Sequence, residues 1–282
     1  MKIEKAADMG FCFGVRRAID LVEKAAQERG SLQTLGALVH NRQVVDRLSE
    51  CGVSIAENLD EVRGDTVAIA SHGVGPEVMK SIKARGLKII DATCPFVRKA
   101  QVVAQKLGKE GFVVLVFGDA SHPEVQAVLG WAGENASASL EIPRFTAQPK
   151  RLGILCQTTQ NKERFANFVG KIIASDTAKF SELRIFNTIC DATRKHQAAA
   201  LALAKRADLM IVIGGKDSAN TKRLAEICAD TGVGTHHIET VSELDPSWVQ
   251  GRRHIGITAG ASTPDEAINE VVLKLQEASR KN

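Results

Sequence analysis

Three cysteines in this chain share the kind of residues that follow them. Cys12, Cys94 and Cys190 each precede three residues and then two cations, in the segments CFGVRR, CPFVRK and CDATRK. Each segment runs into a helical pattern, which predicts each cysteine at or just before a helix N-terminus. Unpaired N–H groups and the positive end of the helix dipole favour a thiolate at such a position. The sequence therefore indicates three potential thiolate ligands.

The same cysteines mark an internal repeat. Gly36, Gly118 and Gly214 each lie 24 positions after one of the three cysteines, at the end of an apolar run. The repeat divides the chain into three predicted α/β units, which span residues 12–93, 94–189 and 190–282. In each unit strands alternate with helices, and this order is typical of parallel sheets with helical cover. The predicted fold is thus α/β, with three units related by a pseudo-threefold axis (a trefoil).

The N-terminal residues supply a strand that the third unit lacks. KIEKAADMGFC stands before Cys12 as LKIIDATC stands before Cys94 and LRIFNTIC before Cys190. No strand pattern follows the last helix of the third unit. We therefore expect the strand at residues 2–6 to join the sheet of the third unit.

Polar side chains follow the predicted strands. Ligands of parallel sheets gather at the carboxyl ends of the strands. With pseudo-threefold symmetry, these loops and the three cysteines would meet at one central cleft. The polar residues in these loops are His40, His72, His122, Glu124, Thr158, Ser218, Asn220 and Ser262.

Three converging thiolates would hold three corners of a cubane iron–sulfur cluster and leave one iron without a protein ligand. Such an iron is a Lewis acid and a conduit for single electrons. Two alternatives remain at this point, namely three buried structural cysteines and a zinc ion bound by three cysteines. The other cysteines have no counterparts across the units, and we interpret them as core residues; they are Cys51, Cys156 and Cys228.

The loop residues also have two interpretations each. His40, His72 and His122 would bind a strongly anionic group, or else lie at the surface or cap helices. Glu124 would donate a proton to a leaving hydroxyl, or simply stand at the start of a helix, where the dipole favours acids. Thr158 would carry the proton or cap the helix after it.

Composition excludes several classes of protein. The chain has 282 residues, is 44% hydrophobic and has a net charge of +4 without a long basic run, so nucleic-acid binding has no support. No apolar run is long enough to span a membrane, and the first residues lack the apolar core of a signal peptide. There is no CxxC, which disfavours a zinc ribbon or a thioredoxin site. These features predict a cytoplasmic protein.

Nine motifs in order, from Gly10 to about Val272, resemble the LytB family of 4-hydroxy-3-methylbut-2-enyl diphosphate reductases. They are FCFGVRRA, GALVHN, SHGV, DATCPFV, HPEV, QTT, CDAT, GGKDSAN and AGASTP. The resemblance implies a trefoil around one [4Fe–4S] cluster per chain, held by Cys12, Cys94 and Cys190. It also implies that the hydroxyl of the substrate meets the open iron, with Glu124 and Thr158 as the proton source.

The resemblance further implies isopentenyl and dimethylallyl diphosphate as products of the methylerythritol phosphate pathway, with reduced ferredoxin or flavodoxin as electron donor. The implied ligands of the substrate, most of them for its diphosphate, are His40, His72, His122, Thr158, Ser218, Asn220 and Ser262. The chain departs from the common family pattern at Ala127, His196 and Ala219, where we expect effects on packing or loop position. The alternative function is a non-catalytic iron–sulfur sensor or anion-binding module on the same scaffold.

Overall fold

A computed structural model describes residues 1–143, 149–176 and 180–281 of the chain. The strands in this part of the chain are β1 Lys2–Lys5, β2 Leu32–Leu35, β3 Val53–Ala56, β4 Thr66–Ile69, β5 Lys88–Asp91, β6 Val113–Phe117, β7 Ala136–Ser139, β8 Arg151–Cys156, β9 Glu182–Phe186, β10 Leu209–Ile213, β11 Gly234–Ile238 and β12 His254–Ala259. The α-helices are α1 Phe13–Arg29, α2 Arg42–Glu50, α3 Pro76–Ala84, α4 Pro95–Lys109, α5 Pro123–Ala132, α6 Lys162–Asp176, α7 Asp191–Ala204, α8 Ala219–Ala229 and α9 Asp265–Lys281.

The strands form three four-stranded sheets in which every pairing is parallel. Sheet A has the order β1-β12-β10-β11, sheet B has β3-β2-β4-β5 and sheet C has β7-β6-β8-β9. Parallel neighbours require crossover connections, which the intervening helices supply. The predicted α/β fold with three parallel sheets is therefore confirmed.

The three sheets have the same order when each is read from the strand that precedes a cysteine. β1, β5 and β9 are those strands, and each is an edge strand paired with β12, β4 or β8 respectively. β1 pairs with β12 from Lys2 opposite His254 to Lys5 opposite Ile257. The N-terminal strand therefore lies in the sheet of the third repeat, at the place that β5 and β9 take in their own sheets.

Three strands lack the continuous apolar run that predicts a strand from sequence: β3, β7 and β11. They form the opposite edge of each sheet, and their sequences are VSIA, ASAS and GTHHI. An edge strand has one neighbour and is partly exposed, so it needs no continuous apolar run. By contrast, all five residues of the central strand β10, LMIVI, are buried.

Helices cover both faces of sheets A and C with apolar side chains. In sheet A, Ile211 and Ile257 pack in a core with Val271 of α9, whereas Met210 packs with Leu203 of α7 on the other face. In sheet C one core includes residues of α4 and α5, and another includes residues of α6.

Contacts between Cα atoms divide the chain into two compact units, here called unit 1 and unit 2, whose bounds differ from those of the three predicted α/β units. Unit 1 comprises residues 1–16, 39–47 and 191–282, and unit 2 comprises residues 17–38 and 48–190. Sheet A belongs to unit 1, and sheets B and C belong to unit 2. The threefold division at residues 12–93, 94–189 and 190–282 stays a prediction, as does the trefoil arrangement of the three sheets.

Within the described ranges, none of the helices combines the length and the apolar character that crossing a bilayer requires. The cytoplasmic location inferred from the sequence stays a prediction.

Two helical glycines of unit 2 give a matched test of the packing. A Cβ at Gly108 of α4 would overlap the carbonyl oxygen of Ala132 at the end of α5, whereas a Cβ at Gly170 of α6 would meet no atom within 4 Å. We expect Gly108→Ala to lower the free energy of unfolding by about 1–3 kcal/mol through overpacking. Gly170→Ala should raise it by about 0.5–1 kcal/mol because alanine favours the helix. Urea denaturation of both variants measures these changes, and equal effects at the two sites would contradict the packing described.

Candidate functional site

Each of the three cysteines is tied by its backbone to a loop that follows the neighbouring strand. The edge strand before the cysteine pairs with the strand that leads into that loop, so the two chain ends lie side by side. The cysteine N–H groups donate to carbonyl oxygens, from Cys12 to Ala261 (3.1 Å), from Cys94 to Ser71 (2.9 Å) and from Cys190 to Thr158 (3.1 Å). Each accepting residue is itself a predicted site residue or the direct neighbour of one.

Each cysteine also stands directly before a helix. Cys94 is the N-cap of α4, with Pro95 at the first helical position. The sulfur of Cys12 accepts a hydrogen bond from the N–H of Val15, in the first turn of α1, at 3.4 Å. α7 begins at Asp191, the residue after Cys190. The helix dipole is therefore available to stabilise a thiolate at all three positions.

The first cation after each cysteine forms an ion pair with an aspartate. Its charge is thereby partly offset, so it contributes less to stabilising a thiolate than an unpaired arginine would. The pairs are Arg16–Asp265, Arg98–Asp91 and Arg194–Asp191. Asp91 also accepts a hydrogen bond from the N–H of Thr93, and this bond shapes the turn that leads into Cys94.

Glu124 and Thr158 form a closed pair in unit 2. Glu124 is the second residue of α5 and is 3% exposed. One of its carboxyl oxygens accepts from the N–H of Thr158 at 2.7 Å, and the other accepts from the Thr158 hydroxyl at 2.8 Å. The carbonyl of Thr158 accepts a hydrogen bond from the N–H of Cys190. Thr158 therefore connects the acid Glu124 to a predicted metal ligand through hydrogen bonds.

Burial raises the pKa of Glu124 above its usual value, although both hydrogen bonds from Thr158 act in the opposite direction. Desolvation disfavours the charged carboxylate, and no cation within the pair compensates for it. A carboxyl group in this state holds its proton at higher pH than an exposed glutamate does. It is therefore suited to donate a proton.

His122 and Gln157 fix the loop that leads into α5, the helix that carries Glu124. Nδ1 of His122 accepts from the N–H of Glu124 at 3.1 Å, so this nitrogen carries no proton and Nε2 does. Oε1 of Gln157 accepts from the N–H of Asp119 at 3.1 Å and from the amide of Gln160 at 3.1 Å. Gln157 was not among the predicted site residues, although it is the first residue of the QTT motif that contains Thr158.

The loop of His72 is tied to the same helix. Nδ1 of His72 donates to the carbonyl of Gly73 at 3.1 Å, since a carbonyl oxygen can only accept. The indole N–H of Trp131, in α5, donates to the carbonyl of Val74 at 2.9 Å. The loops of His72 and His122 are thus both fastened to α5.

Unit 1 brings together four of the residues predicted to bind an anion. The Ser262 hydroxyl donates to the carbonyl of His40 at 3.4 Å, and a Cβ at Gly215 would overlap the same carbonyl oxygen. Ser218 is the N-cap of α8, and its hydroxyl accepts from the N–H of Thr221 at 3.3 Å. The loop between β10 and α8 and the His40 loop therefore lie against each other.

Asn220 is the most unusual of these four residues. Its side chain is 4% exposed, and neither the oxygen nor the nitrogen of its amide has a hydrogen-bond partner. A buried amide without partners is costly, and such a group typically meets a ligand or water.

Burial lowers the pKa of His40, the histidine among these four residues, which keeps its imidazole neutral near pH 7.

The convergence of the three sulfur atoms stays a prediction, because Cys12 belongs to unit 1 whereas Cys94 and Cys190 belong to unit 2. Among the residues that the structure describes, no group of three or more His, Cys, Asp or Glu side chains has the arrangement of a metal site.

The remaining cysteines divide into two kinds. Cys156 in β8 and Cys228 in α8 are buried, as predicted. Burial raises the pKa of the Cys228 thiol to about 12, so this residue stays a neutral thiol. The prediction of a core position for Cys51 was wrong. Cys51 is exposed because it follows the last residue of α2, in the turn that leads to Gly52.

Comparison with known proteins identifies the family. The family described as LytB protein matches residues 3–276. A protein of Dehalococcoides mccartyi (strain CBDB1) named 4-hydroxy-3-methylbut-2-enyl diphosphate reductase is 50% identical over 285 residues, with 99% of both chains covered. A protein of the same name from Geobacter sulfurreducens is 45% identical and covers 100% of this chain and 99% of its own.

Two solved structures are also similar. One, titled as (E)-4-hydroxy-3-methyl-but-2-enyl diphosphate reductase, the terminal enzyme of the non-mevalonate pathway, is 40% identical with a TM-score of 0.69, and the match covers 98% of this chain and 100% of that one. The other, titled as the E-1-hydroxy-2-methyl-but-2-enyl-4-diphosphate reductase from Plasmodium falciparum, is 27% identical with a TM-score of 0.91, and the match covers 98% of this chain and 88% of that one. The chain belongs to the LytB family.

Proposed function

We propose that this protein is a 4-hydroxy-3-methylbut-2-enyl diphosphate reductase, the iron–sulfur enzyme that produces isopentenyl and dimethylallyl diphosphate in the methylerythritol phosphate pathway. The observation that carries the proposal is the buried Glu124–Thr158 pair, joined through the Thr158 carbonyl to Cys190. The relatives of the same name, at 45–50% identity over nearly the whole chain, support it.

The chemistry of the cysteines fits a [4Fe–4S] cluster. Cys12, Cys94 and Cys190 are each only partly buried and start three different helices, whereas Cys156 and Cys228 are buried within elements. Thiolates at helix N-termini are good ligands for iron, and three of them leave one iron open. We assign these three residues as the cluster ligands. When bound, the cluster supplies single electrons and a Lewis-acidic iron.

Glu124 would act on the leaving group of the substrate. Replacement of a hydroxyl by hydrogen consumes two electrons and two protons and releases water. The raised pKa of Glu124 keeps a proton on its carboxyl, and that proton can pass to the departing hydroxyl. The Thr158 hydroxyl, which donates to Glu124, fixes the orientation of the carboxyl and can relay the proton. Glu124 and Thr158 are therefore the proposed catalytic residues.

The diphosphate would be bound by neutral donors rather than by a cluster of cations. In unit 1 these are His40, Ser218, Asn220 and Ser262, of which Asn220 has no partner in the protein. In unit 2, His122 would donate from Nε2, whereas His72, whose Nδ1 donates to the Gly73 carbonyl, would donate from Nε2 only with its ring protonated. The Thr158 hydroxyl donates to Glu124, so Thr158 would bind the substrate beside its leaving hydroxyl rather than at the diphosphate. Several hydrogen bonds to a charged acceptor compensate for its lost hydration. The helix dipole of α8 favours the same negative charge.

A small acidic electron carrier, such as reduced ferredoxin or flavodoxin, is the proposed partner in the cytoplasm. The net charge of +4 fits an acidic carrier.

Protein purified without air should be brown and should consume the hydroxylated allylic diphosphate with a reduced dye. A brown protein that is inert toward this substrate would instead be a sensor or an anion-binding module.

Glu124→Gln tests the proton source. The amide keeps the shape of the side chain but has no acidic proton, so we expect turnover to fall by about 10²- to 10⁴-fold. The ultraviolet–visible spectrum of the cluster should not change, because Glu124 is not a ligand. Turnover near the wild-type rate would remove Glu124 from this role.

The raised pKa of Glu124 also predicts how stability depends on pH. A carboxyl group whose pKa is raised by folding contributes stability below its unfolded value of 4.5, and this contribution is lost as pH rises through the folded value. Within that window the wild type should lose at most about 1.4 kcal/mol per pH unit relative to Glu124→Gln. Urea denaturation of both proteins between pH 5 and 8 measures the difference, and a constant difference would contradict the buried acid.

Cys190→Ser tests the cluster, with Cys51→Ser as its control at an exposed cysteine. Loss of one of three thiolates should remove both the iron and the activity, since the remaining two cannot hold a cubane against solvent. Cys51→Ser should retain both. An active, colourless Cys190→Ser protein would end the assignment of this ligand.

A further inference from the structure

Asn41 is a buried polar residue to which the proposed function gives no role so far. Its side chain is 3% exposed, and it immediately precedes α2. Oδ1 of Asn41 accepts from the N–H of Val44 at 3.1 Å, which makes it the N-cap of this helix. Nδ2 of the same amide is buried and has no hydrogen-bond partner in the protein.

The cap fixes which way the amide of Asn41 is turned. If the amide were flipped, two donors would face each other at Val44, so the oxygen must point to the helix. Nδ2 is then necessarily the free end. A nitrogen of this kind can only donate, and a buried donor without an acceptor destabilises the folded protein. The protein itself therefore provides no hydrogen-bond acceptor for Nδ2 of Asn41.

The surroundings of Asn41 are those of the anion-binding residues of unit 1. A Cβ at Gly215 would lie 3.3 Å from Cα of Asn41, so the residue packs on the loop that follows β10. Three residues later this loop reaches Ser218, the N-cap of α8. The carbonyl of the preceding residue, His40, accepts from the Ser262 hydroxyl. Asn41 and Asn220 are thus two buried amides with unpartnered groups, each at the start of a helix in one unit.

We propose that Asn41 is a further substrate-binding residue, whose Nδ2 donates a hydrogen bond to the diphosphate. The inference rests on the proposed function, because that function brings the anion to this part of unit 1. An anionic oxygen is the acceptor that both the unpartnered donor and the N-terminus of α2 favour. Asn41 would in this way link the stability of α2 to the binding of the substrate, with one side chain serving both.

Two variants separate these two tasks of Asn41. Asn41→Asp keeps an oxygen for the N–H of Val44, which preserves the cap, but replaces the donor by a negatively charged acceptor. Asn41→Ser also keeps a capping oxygen and removes Nδ2 without adding charge. We expect the affinity for inorganic pyrophosphate to fall roughly tenfold in Asn41→Ser and about a hundredfold or more in Asn41→Asp.

The affinities are measured by isothermal titration of the anaerobically purified holoenzyme with inorganic pyrophosphate, and the melting temperatures are recorded in parallel. Asn58→Asp is the control, since it makes the same change of net charge at an exposed cap. It should bind pyrophosphate like the wild type. Both Asn41 variants should melt close to the wild-type temperature.

Three outcomes are distinguishable. Weaker binding in both Asn41 variants with unchanged melting supports the inference. Binding like that of the wild type in Asn41→Ser and Asn41→Asp would overturn it, because the residue would then be a helix cap alone, and the proposed function would stand. A wild-type protein that binds no pyrophosphate would overturn the proposed function together with the inference.

Discussion

The hydrogen bond from each cysteine N–H to the adjacent strand-end loop is the constraint on which the candidate site depends. It exists because the strand before the cysteine is an edge strand that pairs with the strand before the loop. Sheet order thus determines which polar loop accompanies which cysteine. The pairing of β1 with β12 gives Cys12 this arrangement as well, although its strand lies at the other end of the sequence from its sheet.

Glu124 shows how two opposing effects are combined in one residue. Hydrogen bonds from Thr158 stabilise the carboxylate, whereas complete burial stabilises the neutral acid, and burial is the larger effect. The hydrogen bonds still have a role, because they fix the carboxyl group against Thr158, whose carbonyl accepts from the N–H of Cys190. In unit 1 the amide of Asn220 shows the complementary arrangement, in which a polar group is buried without a partner, and under the proposed function it would meet the anion. Both arrangements cost stability, which is typical of functional sites.

The central strands and the helices after the cysteines can be predicted from the sequence. Apolar runs such as LMIVI indicate central strands, and the repeated cysteine segments indicate where helices begin. The edge strands β3, β7 and β11 cannot be predicted in this way, because they are partly exposed and no cysteine motif follows them. The other edge strands, β1, β5 and β9, are also partly exposed, but the cysteine motifs after them mark their positions. The bond between Glu124 and Thr158 cannot be predicted either, because it requires that β6 and β8 be neighbours. The carbonyl groups of Ser71 and Ala261 carry no side-chain signature at all. Cys51 was misplaced because a helical pattern does not reveal where the last turn ends.

The central claim is that Cys12, Cys94 and Cys190 together hold one [4Fe–4S] cluster, although they are distant in sequence. The most direct measurement is the content of iron and acid-labile sulfide in the wild-type protein, purified and assayed without air. The claim predicts about four iron and four sulfide per chain. A preparation that contains stoichiometric zinc without sulfide, or no metal, would contradict it.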